Sequence, residues 1–458
     1  MNQMEQESDA GEFDPSQASG QAETPDVLLP GADDDMFVPK FPERLEDLDV
    51  NPTFLADLAL KAVSMESSCT TASISTRLHL GLVGTDGLLK RLYDEKYIEK
   101  KGVVGLHNHQ YAMLDRGWKY AQQLHEMCGY VGPAPVSLPS YGEMIVSQVR
   151  SRRTVTQHAL NQAMSSLVLS EQVRETLGLV ATSGRSLFLS GPPGNGKTAM
   201  ARALANTLTA SLWIPYAIEV DGHVIRVFDS HTHEKLPTGT LTFDRRWVKI
   251  RVPLVVAGGE MTLDDLDLRS AESNRFYEAP FQLKSNGGVL LIDDLGRQRC
   301  SARQLLNRWI IPLENRIDYL MLSTGKKFQV PFEQLVVFAT NLNEPDLADE
   351  AFLRRMGYRL YVGAPDLETY DCIFRAFAKS YGLGVEPHTI ARLMERYELE
   401  HRVPKACEPR DLILRSLDLC KFRRQQPVLN DSVLDAAWFS YFGDTAMSGR
   451  FDKAKKTK

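Results

Sequence analysis

No stretch of this 458-residue chain restricts its fold more than Leu187-Phe188-Leu189-Ser190-Gly191-Pro192-Pro193-Gly194-Asn195-Gly196-Lys197-Thr198. Apolar residues, a glycine-rich turn and a helix start follow one another, the order in which a buried strand delivers a loop to the positive end of a helix. Gly191, Gly194 and Gly196 permit φ > 0 and close backbone approach, so the loop through Pro192, Pro193 and Asn195 can turn its N–H groups toward an anion. Lys197 is placed to reach β and γ phosphates, and Thr198 to hold Mg²⁺ through its hydroxyl. Ala199-Met200-Ala201-Arg202-Ala203-Leu204-Ala205 continues the helix. The pattern implies a phosphate-binding loop for a nucleoside triphosphate.

A chain of this length can bury two or three cores, and 43% hydrophobic with 24% charged residues is ordinary globular composition. No apolar run approaches the roughly 18 residues of a membrane span, and the N-terminus has neither a basic start nor an apolar h-region. Cytoplasmic location without membrane insertion is the expectation. Cys69, Cys128, Cys300, Cys372, Cys407 and Cys420 are widely spaced with no CxxC pair, so neither a disulfide framework nor a zinc module is implied. The net charge of −6 hides an asymmetry. Residues 1–50 hold fourteen acids against Lys40 and Arg44, a net of −12, which leaves +6 on the remainder.

Residues 1–50 therefore read as an acidic disordered tail, its first 40 residues too polar to repay ordering entropy. Either it is simply solvated or it masks a basic surface in its own assembly. Over 51–130 short amphipathic helices start at Asn51-Pro52, Ser73 and Thr85, followed by two strand-like runs near Tyr97 and Gln110 and a closing helix from Asp115. This order resembles a winged helix-turn-helix. Nine bases against eight acids there make a weak footprint for nucleic-acid phosphate, so DNA binding and protein docking both stay open. Residues 131–150, with Pro133, Pro135 and Pro139, read as a proline-stiffened linker.

Ninety-six positions separate Lys197 from Asp293, room for an insertion at about 212–284. Its hairpin signal is alternating strands around Asp221-Gly222, and a further strand-like run extends from Trp247 to Ala257. Such an insertion is either a substrate-facing part or a surface ribbon. The second nucleotide signal is Val289-Leu290-Leu291-Ile292-Asp293-Asp294, a buried strand ending in two carboxylates. Asp293 is placed to order Mg²⁺ and Asp294 to polarise water. A third strand, Leu335-Val336-Val337-Phe338-Ala339, ends in Thr340-Asn341.

With the phosphate loop, the acidic strand and this polar strand end, the chain resembles the AAA+ ATPases. The resemblance implies an α/β fold: a P-loop parallel sheet over 151–365, a C-terminal helical lid over 366–445, a small N-terminal winged-helix domain and a basic tail at 446–458. It makes Asn341 the polar sensor of the γ-phosphate. Asp349-Glu350-Ala351-Phe352-Leu353-Arg354-Arg355 resembles the segment that carries the arginine finger, and Pro409-Arg410 the second sensor, with Arg410 contacting the nucleotide from the lid. The stretch Asp318 to Val330, framing Ser323-Thr324-Gly325-Lys326, resembles the hairpin that precedes the sensor strand in MoxR-like branches. One residue departs from the family pattern. The second acid is usually Glu, and Asp294 is shorter by one methylene, so slow hydrolysis is expected.

The resemblance implies binding and hydrolysis of ATP with Mg²⁺ by a homo-oligomeric ring, a hexamer, that remodels a macromolecular partner, foremost a protein. Two alternatives remain open at this point: a DNA-associated motor or loader using residues 51–130, and a slow nucleotide-gated scaffold or switch.

Overall fold

The computed structural model describes residues 37–152, 155–208, 211–270, 275–342 and 350–443. At its centre is a five-stranded parallel sheet in the order Leu254–Ala257, Val289–Ile292, Leu335–Ala339, Leu187–Ser190, Tyr358–Tyr361. The middle three are buried at every position. That is why they read as unbroken apolar runs rather than alternating ones. Side chains nevertheless alternate between two cores. Leu187 and Leu189 pack with Leu177, Val180, Met200 and Leu204 on one face, while Phe188 joins Leu305, Trp309 and Phe338 on the other. Helices Glu171–Ser183 and Lys197–Thr207 cover the first face and Ala302–Asn315 the second. The chain is therefore an α/β protein whose loops at the carboxyl ends of the strands meet along one edge.

The expected single run from Trp247 to Ala257 divides in two. Trp247–Arg251 pairs antiparallel with Ser211–Pro215, whereas Leu254–Ala257 is the edge strand of the parallel sheet, in register with Val289–Ile292. Pro253 sits between them and can donate no ladder hydrogen bond. The inserted material at 212–284 is thus interrupted by a core strand. Its hairpin, Ala217–Val220 with His223–Arg226, turns through Asp221 and Gly222, both at positive φ, as the sequence predicts.

Two further boundaries move. Val136–Ser137, inside the expected linker, pairs parallel with Ile218–Glu219. The helix Leu138–Arg150 follows, capped by the Ser137 hydroxyl and burying Tyr141 and Ile145. Of the expected acidic tail, residues 39–50 are packed. The Pro39 carbonyl accepts from Asp244 N at 3.0 Å, Asp49 pairs with Arg246 at 2.7 Å, and Val50 is buried. Both segments are polar enough to pass for linker or tail, but Pro39, Asp49 and Pro135 have found polar partners far along the chain. Residues 1–36 and 444–458, which include the expected basic tail at 446–458, lie outside the described residues.

Before this sheet, helices Pro52–Ser64, Thr71–Leu78 and Leu82–Asp94 pack with a three-stranded antiparallel sheet whose middle strand is Asn108–Met113, between Cys69–Thr70 and Ile98–Gly105. Helix Asp115–Met127 closes the unit, and Asn51 caps its first helix through Thr53 N at 2.8 Å. After the sheet, helices Leu367–Ser380, Pro387–Leu399, Glu408–Phe422 and Asp431–Phe442 share a core of Tyr370, Phe374, Tyr397 and Trp438. All six cysteines are free. Among the described residues no helix is long and apolar enough to cross a membrane.

Candidate active site

Strand register assembles the site. Ile292 lies opposite Phe338 and Ala339 opposite Leu189, so the residues that follow each strand emerge side by side. Two backbone bonds extend the ladder beyond the strands: Thr340 N to Leu189 O and Asp293 N to Ala257 O, each 2.9 Å. Asp293, Asp294, Asn341 and the phosphate loop are thereby brought to one edge.

Within the loop, Gly191, Gly194 and Gly196 all have positive φ. A Cβ on Gly191 would lie 2.2 Å from the Val362 carbonyl oxygen, and one on Gly194 would lie 2.8 Å from Cys407 Sγ. Glycine is required at both places by space as well as by dihedral. Pro192 and Pro193 are exposed on the loop and Ala199 on the first turn of the helix. Lys197 folds back over the loop, donating from Nζ to Gly191 O at 2.8 Å, Pro192 O at 2.9 Å and Asn341 Oδ1 at 2.6 Å. Burial pulls its ammonium below the ordinary lysine value, against the opposing pull of the Asp294 and Asp293 charges.

Thr198 Oγ1 donates to both carboxylate oxygens of Asp293, at 2.9 and 3.1 Å. Asn341 Nδ2 donates to Asp294 Oδ1 at 2.6 Å. Asp294 itself sits at φ +50, a left-handed position that Asp tolerates better than most side chains. The acid turn is held from behind by Gln298, whose Nε2 donates to Asp293 O at 2.9 Å and Asp294 O at 3.3 Å.

This donor set suits MgATP. A threonine hydroxyl and a carboxylate are the oxygen ligands that a hard divalent cation takes. The Lys197 ammonium is held at the loop by Gly191 O and Pro192 O. Asn195 is 4% exposed, and among the described residues its Nδ2 has no hydrogen-bond partner, a buried donor left over within the cradle.

The arginines stand apart from this cluster. Arg354 is exposed, Arg355 Nε pairs with Glu314 at 3.2 Å, and Arg410, on an exposed helix face, bonds Asp411 at 3.0 Å. Sequence reasoning missed two contributors. Gln298 carries no local signal. The strap before the last-but-one lid helix does: Cys407 N donates to Gly194 O at 2.9 Å and Ala406 N to Asn195 Oδ1 at 3.2 Å, directly beside the Pro409-Arg410 motif.

Comparison with known proteins matches residues 187–364 to the family model described as "ATPase family associated with various cellular activities (AAA)". Residues 187–364 are in this respect similar to an AAA ATPase domain. Residues 366–440, which begin one residue before the first lid helix, match a "Domain of unknown function (DUF8689)". The chain is 26% identical over 245 residues to spastin of Anopheles gambiae, covering 53% of this chain and 24% of that protein. It is 26% identical over 240 residues to spastin of Drosophila grimshawi, covering 52% and 25%. The chain thus spans about a quarter of the length of these curated relatives. Among solved structures, NtrX from Brucella abortus in complex with ATP aligns with a TM-score of 0.38 at 16% identity, covering 68% of this chain and 64% of the other. The RuvB Holliday junction branch migration motor of Thermotoga maritima aligns with a TM-score of 0.33 at 15% identity, covering 62% and 68%.

Proposed function

We propose that the AAA domain binds and hydrolyses MgATP in a ring of six like subunits and uses the cycle to remodel a protein partner. The observation that carries this is the paired contact Thr198 to Asp293 and Asn341 to Asp294 around Lys197. Lys197 would neutralise the β and γ phosphates. Thr198 and Asp293 hold Mg²⁺, which would neutralise charge developing on the phosphates. Asp294 accepts the proton side of the attacking water, and Asn341 fixes the direction of that carboxylate. Arg354 or Arg355 completes the site of the neighbouring subunit, and Arg410 reports the γ-phosphate to the lid. Lys197→Ala tests the assignment: calorimetry should find ATP binding abolished, and unchanged affinity would remove the site from this loop.

Residues 51–130 we read as a winged helix that docks protein rather than DNA. The tip of its strand pair is apolar, with Val103, Val104 and Leu106 exposed by 69%, 61% and 87%, where a phosphate-binding wing would present lysine or arginine. A steep loss of DNA affinity with rising salt would favour the opposite assignment. The slow switch has one supporting observation of its own: the short Asp294 carboxylate is already engaged by Asn341 at 2.6 Å.

A further inference from the structure

A cavity of about 340 Å³ lies between the N-terminal helices and the inserted strands, away from the phosphate loop. His79, Tyr216, Lys235, Phe243, Arg245 and Trp247 line it. Its walls are aromatic and its charges are positive. Lys235 is exposed, its ammonium bonds the Tyr216 hydroxyl at 3.0 Å, and it lies over the rings of Tyr216 and Phe228 at 5.0 and 4.8 Å. Arg245 is exposed as well. Among the described residues neither cation forms an ion pair, whereas Arg226, Arg246 and Arg251 nearby are all matched to carboxylates.

The chain that precedes the described residues leads to this place. Val38 packs against the core shared with Phe243, and the Pro39 carbonyl accepts from Asp244 N at 3.0 Å, between the two lining residues Phe243 and Arg245. Residues 1–36 contain ten acidic side chains and no Lys or Arg, and Asp33-Asp34-Asp35 stand closest to that entry point. Six residues of extended chain, from Pro39 back to Asp33, span at most about 20 Å. The acidic run is therefore tethered within reach of a cationic cavity, at an effective concentration on the order of millimolar for so short a connection.

We infer that the acidic segment around Asp33-Asp34-Asp35 docks in this cavity, its carboxylates facing Lys235 and Arg245, and that it so bridges the N-terminal helices to the inserted strands. There it covers the aromatic walls and faces the two exposed cations among the lining residues.

Zero-length carbodiimide coupling of the full chain, mapped by mass spectrometry, tests this. Lys326 and Asp221, paired at 2.5 Å on the surface, provide the internal control. The expected product joins Lys235 to one of Asp33, Asp34 or Asp35 within one chain. Its yield should fall at least roughly threefold between about 0.05 and 0.5 M salt, since screening weakens exposed pairs. In Arg245→Glu the same product should drop while the control product persists. Formation of the control product without any link from Lys235 to these acids overturns the proposal. A mixture of isotopically light and heavy chains identifies the source: a link predominantly between chains also overturns the intramolecular seat and assigns the cavity to a neighbouring copy.

Discussion

Asn341 touches both halves of the nucleotide machinery, donating to Asp294 and accepting from Lys197, each at 2.6 Å. Removing its amide should leave the phosphate cradle intact but free the Asp294 carboxylate to swing. For Asn341→Ala we expect turnover to fall by roughly 10²–10³, the typical cost of losing a positioned polar group. ATP affinity should stay within a few-fold. Equal losses in binding and turnover, measured by calorimetry and phosphate release, would make Asn341 a ligand of the ground state alone.

Subunit sharing is tested by mixing. Lys197→Ala keeps the arginines but loses the site, and the Arg354→Ala, Arg355→Ala double variant keeps the site but loses the finger. Each should be inactive alone, since an arginine supplied in trans is worth roughly 10³–10⁵ in rate. Mixed at concentrations that allow assembly, they should regain part of the activity wherever an intact site meets an intact arginine. No recovery, with a wild-type specific activity independent of concentration, would leave a monomeric switch.

Arg246 predicts a stability effect remote from chemistry. It is 4% exposed and joins Asp244 at 2.7 Å, Asp49 at 2.7 Å and the Pro135 carbonyl at 3.2 Å, three segments distant in sequence. Arg246→Ala strands the buried Asp244 carboxylate and should cost roughly 3–5 kcal/mol. Chemical denaturation reads that loss directly. A change below about 1 kcal/mol would mean that the fork is surface decoration.

The same cluster sets an acid limit. Burial pushes the Asp49 carboxyl up, but the Arg246 charge and hydrogen bonds from Ser140, Ser137 and Arg246 outweigh it and carry the value from 3.8 down to about 2. A depressed folded value means that the contribution to stability is complete above about pH 3.8 and is lost as pH falls toward 2. Melting temperature should therefore drop more steeply between pH 4 and pH 2.5 in wild type than in Asp49→Asn, on the order of the linkage slope for one proton. Parallel curves would show that Asp49 carries none of the acid sensitivity.

The contrast between these two regions explains what could be read from sequence. Asp293 and Asn341 follow the ends of short apolar runs, and Lys197 and Thr198 follow a third through the phosphate loop; parallel strands must align those ends, so local pattern dictated long-range contact. The Arg246 to Asp49 pair spans 197 positions and belongs to no repeating pattern. Segments that depend on such pairs, residues 39–50 and 131–150, passed for tail and linker because charge and proline content register composition but not partners. Two signals were nonetheless present: Ser137 followed by Pro139 is a helix start, and Pro253 divides the run from Trp247 to Ala257. The Lys405 to Cys407 strap over Gly194 was marked only by its place beside Pro409-Arg410, and the need for glycine at Gly194 comes from a neighbour 213 residues away.

Division of labour between Asp293 and Asp294 is the central claim, and Asp294→Asn tests it most directly. The substitution removes the charge that polarises water while leaving Thr198 on Asp293 and Lys197 in the loop. ATP affinity and phosphate release should be measured on the same preparation. The account predicts affinity within about threefold of wild type and turnover lower by at least roughly a hundredfold. Hydrolysis at the wild-type rate by this variant would contradict it and place the catalytic acid elsewhere.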